Sequence, residues 1–396
     1  PDNSTCGIRT GTGSKSTACQ TSETGNQGVE DDMTDENRRI FLKAMGAAAL
    51  GGATSGCATL GPADGAFDRI PRIELTTLPT ACNRMDNVSR MVGGPDLYIK
   101  RDDVMELAHG GNKTRKLEYA LAAALGQDAK AVVTQGGLQS NHVRQTCSGA
   151  AKVGLEAHVV LSNPVPEMEE ALMGSGNFLM DQIMGAHIHI AEDGRGPVVE
   201  KVIADLNAAG KKPYNIPAGA SNGVGSLGYV NAARELIAQW EEMGIRPSHI
   251  FTATGSCGTQ AGLLLGLRQF GNTTTQVVGV SVSGSRERTE TRMRDVLNMI
   301  CDETGIAKDL VPDSDIIVTD EYIGDGYGRP TPAGIAAIRT VAENEGVILD
   351  PVYTGKCMSG MLDMLRRGRL DNANDVVFLH TGGAPAIHPY AEFLRG

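Results

Sequence analysis

No C-x-x-C pair occurs among the eight cysteines, which fall at positions 6, 19, 57, 82, 147, 257, 301 and 357. That absence removes the spacing used by structural zinc sites and thioredoxin-type redox motifs. The same scatter makes no disulfide framework, and a chain of 396 residues can bury enough core without one, so the cysteines are expected to be free and mostly buried. Net positive charge is also lacking. A formal charge of −11 argues against nucleic acid or an anionic membrane as partner, since both require a basic face. A small anion is still compatible with it, because backbone dipoles can hold one locally. No G-x-x-x-x-G-K-[ST] occurs, which argues against a nucleoside-triphosphate loop. No repeat and no long linker interrupts the chain.

A hydrophobic run of spanning length is missing as well. The apolar stretch A-M-G-A-A-A-L-G-G-A-T-S-G-C at 44–57 is too short and glycine-rich for a membrane span. It follows N-R-R-I-F-L-K at 37–43. Together these resemble a twin-arginine export signal built on Arg38 and Arg39. The T-S-G-C tetrad resembles a degenerate lipoprotein cleavage site, so the expectation for 33–57 is export to the periplasm, with a lipid anchor at Cys57; a cytoplasmic location is the alternative. Residues 1–32, rich in Ser, Thr, Gly and Asn, cannot bury enough apolar surface to offset ordering entropy and are expected to be disordered. Met33 could be the natural start.

From about residue 70 the pattern is α/β. Strands are expected at 96–101, 131–135, 157–162, 187–190, 213–216, 249–254, 277–282, 315–318 and 376–380. Helices are expected between them, including 115–126, 141–153, 222–243, 259–270, 331–345 and 356–367, where apolar residues recur three and four apart. The fifty glycines cluster between apolar runs, which suits tight strand-to-helix turns. Alternation of this kind implies parallel open sheets with helices on both faces.

Four constellations carry chemistry. In K-R-D-D…G-G-N-K-T-R-K (100–116), Lys113 opens a helix after a glycine turn. The macrodipole disfavours a cation there and lowers its pKa, and a neutral amine is the form that condenses with an aldehyde. Taken alone, such a lysine is more often a solvated surface residue; the neighbouring motifs change that. In T-Q-G-G-L-Q-S-N-H (134–142) a strand ends and Ser140, Asn141 and His142 begin a helix, a usual ligand position in open α/β sheets; Ser140 or Asn141 could equally be a plain cap. In T-A-T-G-S-C-G-T (252–259), Gly255, Ser256, Cys257, Gly258 and Thr259 offer consecutive backbone N–H groups at a helix start, a phosphate cradle. The last comprises L-D-P-V-Y-T-G-K (349–356), H-T-G-G-A-P-A (380–386) and G-Y-G-R-P (326–330). It contains Tyr327 and Tyr353, which could also be core aromatics with satisfied hydroxyls.

From about Ile70 to the end, these segments resemble the fold-type-II pyridoxal-phosphate (PLP) family that contains D-cysteine desulfhydrase and 1-aminocyclopropane-1-carboxylate (ACC) deaminase. The resemblance implies a tryptophan-synthase-β-like fold, with a larger domain of 58–127 and 225–396, a smaller one of 128–224, and the cofactor in the cleft between them. It implies that Lys113 holds PLP as a Schiff base, that Asn141 bonds the ring hydroxyl, and that loop 255–259, helped by Lys116, holds the phosphate. Ser140, Tyr327 and Tyr353 are then catalytic and face the substrate. A homodimer is implied too.

Within that family, ACC deaminases carry Glu after the second tyrosine and Leu before the last Gly-Gly, where this chain has Thr354 and Thr381, as desulfhydrases do. Thr381 is expected beside the cofactor. A threonine hydroxyl beside the ring nitrogen gives a weaker electron sink than a carboxylate, sufficient when a thiol can leave from Cβ. His142, where ACC deaminases tend to have Gln, points the same way, and Cys257 departs from the small residue expected in the phosphate loop. The implied activity is β-elimination of D-cysteine or a related small amino acid to pyruvate, ammonia and hydrogen sulfide. The alternatives are L-cysteate sulfo-lyase, which needs an additional cation that the sequence does not locate, ACC deaminase, and a non-catalytic PLP or amino-acid binder.

Overall fold

A computed structural model describes residues 67–370 and 373–395; the disordered stretch, the arginine pair and Cys57 of the sequence reading lie outside them. Two sheets organise the chain. The larger has the order β1-β2-β10-β7-β8-β9 and the smaller β5-β4-β3-β6. Their strands are β1 (Cys82–Arg84), β2 (Leu97–Arg101), β3 (Ala131–Gly137), β4 (Glu156–Ser162), β5 (His187–Ile190), β6 (Tyr214–Ile216), β7 (Pro247–Thr254), β8 (Gln276–Ser281), β9 (Ile317–Thr319) and β10 (Asp375–His380). All nine expected strands are present. The tenth, β1, pairs antiparallel with β2, so the larger sheet is mixed at its edge rather than wholly parallel. Its sequence, C-N-R, is short and largely exposed; it carries no apolar alternation to read, and an edge strand needs no crossover helix to cover it.

The helices are α1 (Asp86–Val92), α2 (Lys113–Gly126), α3 (Asn141–Lys152), α4 (Glu169–Gly174), α5 (Gly176–Ile183), α6 (Arg195–Ala208), α7 (Gly223–Met243), α8 (Gly258–Gln269), α9 (Arg286–Thr304), α10 (Pro332–Glu345), α11 (Thr354–Arg366) and α12 (Ala391–Arg395). Local chemistry sets their ends. The Asn222 side chain accepts from Gly225 N at 2.9 Å to open α7, and Gly244 closes it in the left-handed region at φ 68°. Thr331 caps α10 ahead of Pro332, whose missing N–H costs nothing at a first helical position.

Successive residues of the larger sheet serve two cores. Ile250, Val277 and Val377 pack with Leu227, Leu236 and Leu263 of α7 and α8. Their neighbours Phe251, Val278 and Phe378 pack with Met358 and Met361 of α11. A sheet covered on both faces reads as continuous apolar runs, which is why its strands were legible. A Cβ at Gly262 would lie 2.5 Å from Ser226 O, so the contact between α7 and α8 tolerates only glycine there. No helix among the described residues is long and apolar enough to cross a membrane.

Candidate active site

A cavity of about 370 Å³ opens at the carboxyl ends of both sheets. Its wall includes Gln135–Gly137 at the end of β3, Ala218 and Gly219 after β6, Thr254–Cys257 after β7, Ser283 after β8 and Thr381 after β10. Since β4 and β6 flank β3 on opposite sides, the chain direction switches there, and such switch points leave a crevice at the strand ends.

Lys113 is the first residue of α2 and lines this cavity. Its Nζ donates to Asn112 Oδ1 at 3.0 Å, while Asn112 Nδ2 donates to Thr259 Oγ1 at 3.0 Å. Burial lowers the amine to a pKa of about 8. The direction agrees with the helix-dipole expectation, but the cause is desolvation of the charged form.

The loop before Lys113 is held from α3. Arg144 donates to Ala108 O and, at 2.8 Å, to Gly110 O, and Gln145 Oε1 accepts from Thr114 N at 3.0 Å. The start of α3 supplies three cavity groups. Ser140 Oγ accepts from Val143 N at 3.3 Å, so it caps the helix and lines the cavity at once; the cap uses a lone pair and leaves the hydroxyl proton to donate inward. Asn141 Oδ1 accepts from Asn177 Nδ2 at 2.8 Å, which leaves its own amide N–H groups for a ligand oxygen. Thr134 Oγ1 donates to Ile216 O at 2.8 Å and lies 2.7 Å from His142 Nε2. That nitrogen therefore carries the proton, and Nδ1 is a buried acceptor with no partner. Burial, then the charges of Lys113 and Lys116, push the His142 pKa well down, so the ring is neutral.

The expected cradle is present with an additional member. Ser221 Oγ accepts from Lys116 Nζ at 2.8 Å and from Gly258 N at 3.2 Å, and donates to Ser256 Oγ at 2.8 Å. Lys116 also donates to Gly219 O at 2.7 Å. It is fully buried and stands behind the wall, tying the Gly219–Ser221 turn to α2 rather than lining the cavity. A Cβ at Gly258 would lie 2.6 Å from Lys116 Nζ, so a larger residue there would displace the lysine from the turn. Cys257 adopts φ 70°, and its sulfur lies 3.7 Å from both Gly255 O and Thr289 O. Burial raises its thiol pKa. The A-G-A-S-N-G run at 218–223 has the same small-residue signature as the other three loops and could have revealed this fourth one.

On the opposite wall the hydroxyls of Tyr327 and Tyr353 are 2.5 Å apart. Burial raises both pKa values, that of Tyr353 well above the ordinary tyrosine range, so both are protonated and one O–H remains for an outside acceptor. Thr381 lines the cavity and Thr354 does not. The Thr354 hydroxyl accepts from Asp350 N and donates to Asp350 Oδ2, both at 2.7 Å. The Asp350 carboxylate also takes the N–H groups of Val352, Tyr353 and Thr354. Sequence reasoning missed this carboxylate, and it missed Arg195 at the start of α6, which lines the cavity.

These residues fit a phosphorylated aldehyde cofactor: a low-pKa amine, an N–H cradle at a helix start, and an unsatisfied acceptor in the wall. A family model described as pyridoxal-phosphate dependent enzyme matches residues 73–382. The chain belongs to the pyridoxal-phosphate dependent enzymes. D-cysteine desulfhydrase of Serratia proteamaculans is 39% identical to this PLP enzyme over 326 residues, 81% of this chain and 96% of that protein. The Salmonella typhi protein of the same name is 38% identical over 324 residues, 81% of this chain and 97% of the relative. A crystal structure of an ACC deaminase homologue superimposes with a TM-score of 0.75 at 36% identity, covering 83% of this chain and 97% of that one. The PLP enzyme is thus of fold type II, as its sequence implied.

Proposed function

We propose that the protein eliminates the β-substituent of a small amino acid, D-cysteine foremost, giving pyruvate, ammonia and hydrogen sulfide. The observation that carries this reading is the convergence of a buried amine, Lys113, with Ser140 and the Tyr327–Tyr353 pair in one cavity. The desulfhydrase names of the relatives support the choice of substrate.

Bound PLP supplies the electron sink that makes a Cα proton removable. Lys113 Nζ, with its pKa of about 8, takes that proton. As the Cβ–S bond breaks with its electron pair on sulfur, Cα and Cβ become doubly bonded, and water hydrolyses the released enamine to pyruvate and ammonia; in this reading the Tyr327–Tyr353 pair protonates the leaving group. Asn141 Nδ2 and Ser140 Oγ would donate to ligand oxygens in the cavity, and the 255–259 backbone would hold the phosphate. Thr381, which lines the cavity, is the subfamily position nearer the chemistry; Thr354 acts through Asp350.

Arg195 favours a second reading. A sulfonate substrate needs an additional cation, and Arg195 is a cation in the lining, so L-cysteate with sulfite as product is the competing substrate. The deciding experiment adds D-cysteine, L-cysteine, L-cysteate and ACC separately to the PLP-loaded protein and assays sulfide, sulfite and α-ketobutyrate. Sulfide from D-cysteine at the highest rate is the expected result. Sulfite as the main product transfers the assignment to the second reading, and no product from any substrate overturns both.

A further inference from the structure

At the amino ends of β4 and β5, away from the cavity at the carboxyl ends, lies a cluster the proposed reaction does not use. E-A-H (156–158) begins β4 and H-I-H (187–189) begins β5. Alternate residues of a strand share a face, and the parallel register sets His158 against His187 and Val160 against His189. One side-chain ligand atom from each of Glu156, His158 and His187 lies within 4.8 Å of the others.

His158 Nδ1 lies 3.4 Å from His189 Nε2, a pair in which either ring can donate. The tautomer with the proton on Nδ1, donated to His189, bares the lone pair of the buried Nε2; an ion would select it over the tautomer whose Nε2–H faces Glu156. That bare nitrogen is 3.5 Å from Glu156 Oε2. Ligand atoms around a tetrahedral ion with bonds of about 2.0–2.1 Å stand about 3.3–3.4 Å apart, so this pair already has near-ligating separation. Lys211 occupies the other carboxylate oxygen of Glu156, leaving Oε2 available. The His187 ring stacks on His158 with centroids 4.3 Å apart; His187 is exposed, so its ring can rotate to aim a nitrogen at the same point, giving up that stack.

We propose that Glu156 Oε2, His158 Nε2 and a ring nitrogen of His187 bind a divalent transition-metal ion of the zinc or cobalt type, with His189 orienting His158 and water completing the shell. Imidazole with carboxylate selects such ions over calcium or magnesium. A ring hydrogen-bonded through its second nitrogen is the usual device for fixing a ligating histidine. The ion would clip the edge strand β5 to β4.

The test uses the full-length, PLP-loaded protein, stripped of metal with a chelator and titrated with Co2+. The expected result is one Co2+ per chain, with visible ligand-field bands and no thiolate charge-transfer band, which excludes the cysteines as ligands. His187→Ala and Glu156→Gln should lose that ion. His189→Ala should weaken it about 10–100-fold. All three should keep parental turnover, because none lies in the catalytic cavity. No cobalt retained, a thiolate band, or His187→Ala binding like the parent overturns the proposal.

Discussion

Helix α2 presents two kinds of cation within four residues. Arg115 is buried and fully paired. Its guanidinium donates to both Asp102 oxygens at 2.9 Å and to Glu235 at 2.8 and 2.9 Å. Tyr229 adds a bond to Asp102 at 2.6 Å, and Lys100 pairs with Glu235. Lys113, two residues earlier, meets only a neutral amide oxygen, and Lys116 only a carbonyl and a hydroxyl. The pKa directions separate accordingly. Carboxylates hold Arg115 well above its ordinary value against the cost of burial, whereas burial takes Lys113 to about 8 and Lys116 well down. Charge with counter-charge holds the helix in place; cation without counter-charge is chemistry held ready.

The sharpest way to break this contrast is to remove one cation of each kind. Lys113→Ala should cost turnover by at least about 10²–10⁴-fold and abolish borohydride trapping of the cofactor, while the apoprotein unfolding midpoint near neutral pH does not fall, because the desolvation cost of the charged amine is removed with it. Arg115→Leu should instead destabilise by about 3–5 kcal/mol, because Asp102 is left buried and unpaired, measured by urea titration. Equal effects of the two substitutions on folding would refute the division.

The next effect is smaller and concerns pH. The ordinary lysine pKa is about 10.4 and that of Lys113 in the fold is about 8, so between these values the unfolded chain binds the proton and the folded one does not. The Lys113 contribution to apoprotein stability therefore rises with pH across that window, read as the difference between the parent and Lys113→Ala. Below about pH 8 both states are protonated and the desolvation cost of the charged amine is fully felt. The rate of cofactor capture, followed by absorbance, should climb through the same pKa and level off above it. A flat profile would mean that the amine is not the titrating group.

What could be read beforehand followed the same line. Lys113, Ser140, Asn141, His142, Thr259, Tyr353 and the 255–257 loop all reach one cavity because each sits where a strand or turn gives way to a helix, a junction visible as glycine and hydroxyl residues after an apolar run; Tyr327 reaches it from a glycine-flanked turn. Thr354 and Lys116 carried the right letters but stand behind the wall, since sequence gives the junction and not the direction of the side chain. Asp350 and Arg195 had no signal of this kind. A lone Asp before Pro351 or Arg between two glycines resembles any loop residue, and only tertiary packing brings Arg195 of α6 to the cavity.

Ser140 tests whether a side chain can belong to both classes. Replacing an N-cap serine costs about 1 kcal/mol as Ala but only a few tenths as Gly. If the hydroxyl proton serves the reaction, Ser140→Gly and Ser140→Ala should lose activity alike while differing in stability. If capping were its whole role, activity would follow stability and the Gly variant would be nearly normal.

The smallest effect falls at Cys257, where the contrast is within one residue. Its backbone, in the left-handed region at φ 70°, faces the cradle, and its sulfur is packed in the core. A residue with a Cβ pays about 1 kcal/mol for that conformation, and removing the buried sulfur forfeits about as much again. Cys257→Ala keeps the strain and loses the packing, so it should be less stable than the parent by about 1 kcal/mol. Cys257→Gly loses the packing and relieves the strain, so it should match or exceed the Ala variant, reversing the usual order of the two residues. Cofactor affinity should be the same in all three, since backbone N–H groups alone face the phosphate. A weaker affinity in the Gly variant, measured by PLP titration, would show that the left-handed turn is preorganised by the thiol's anchorage in the core.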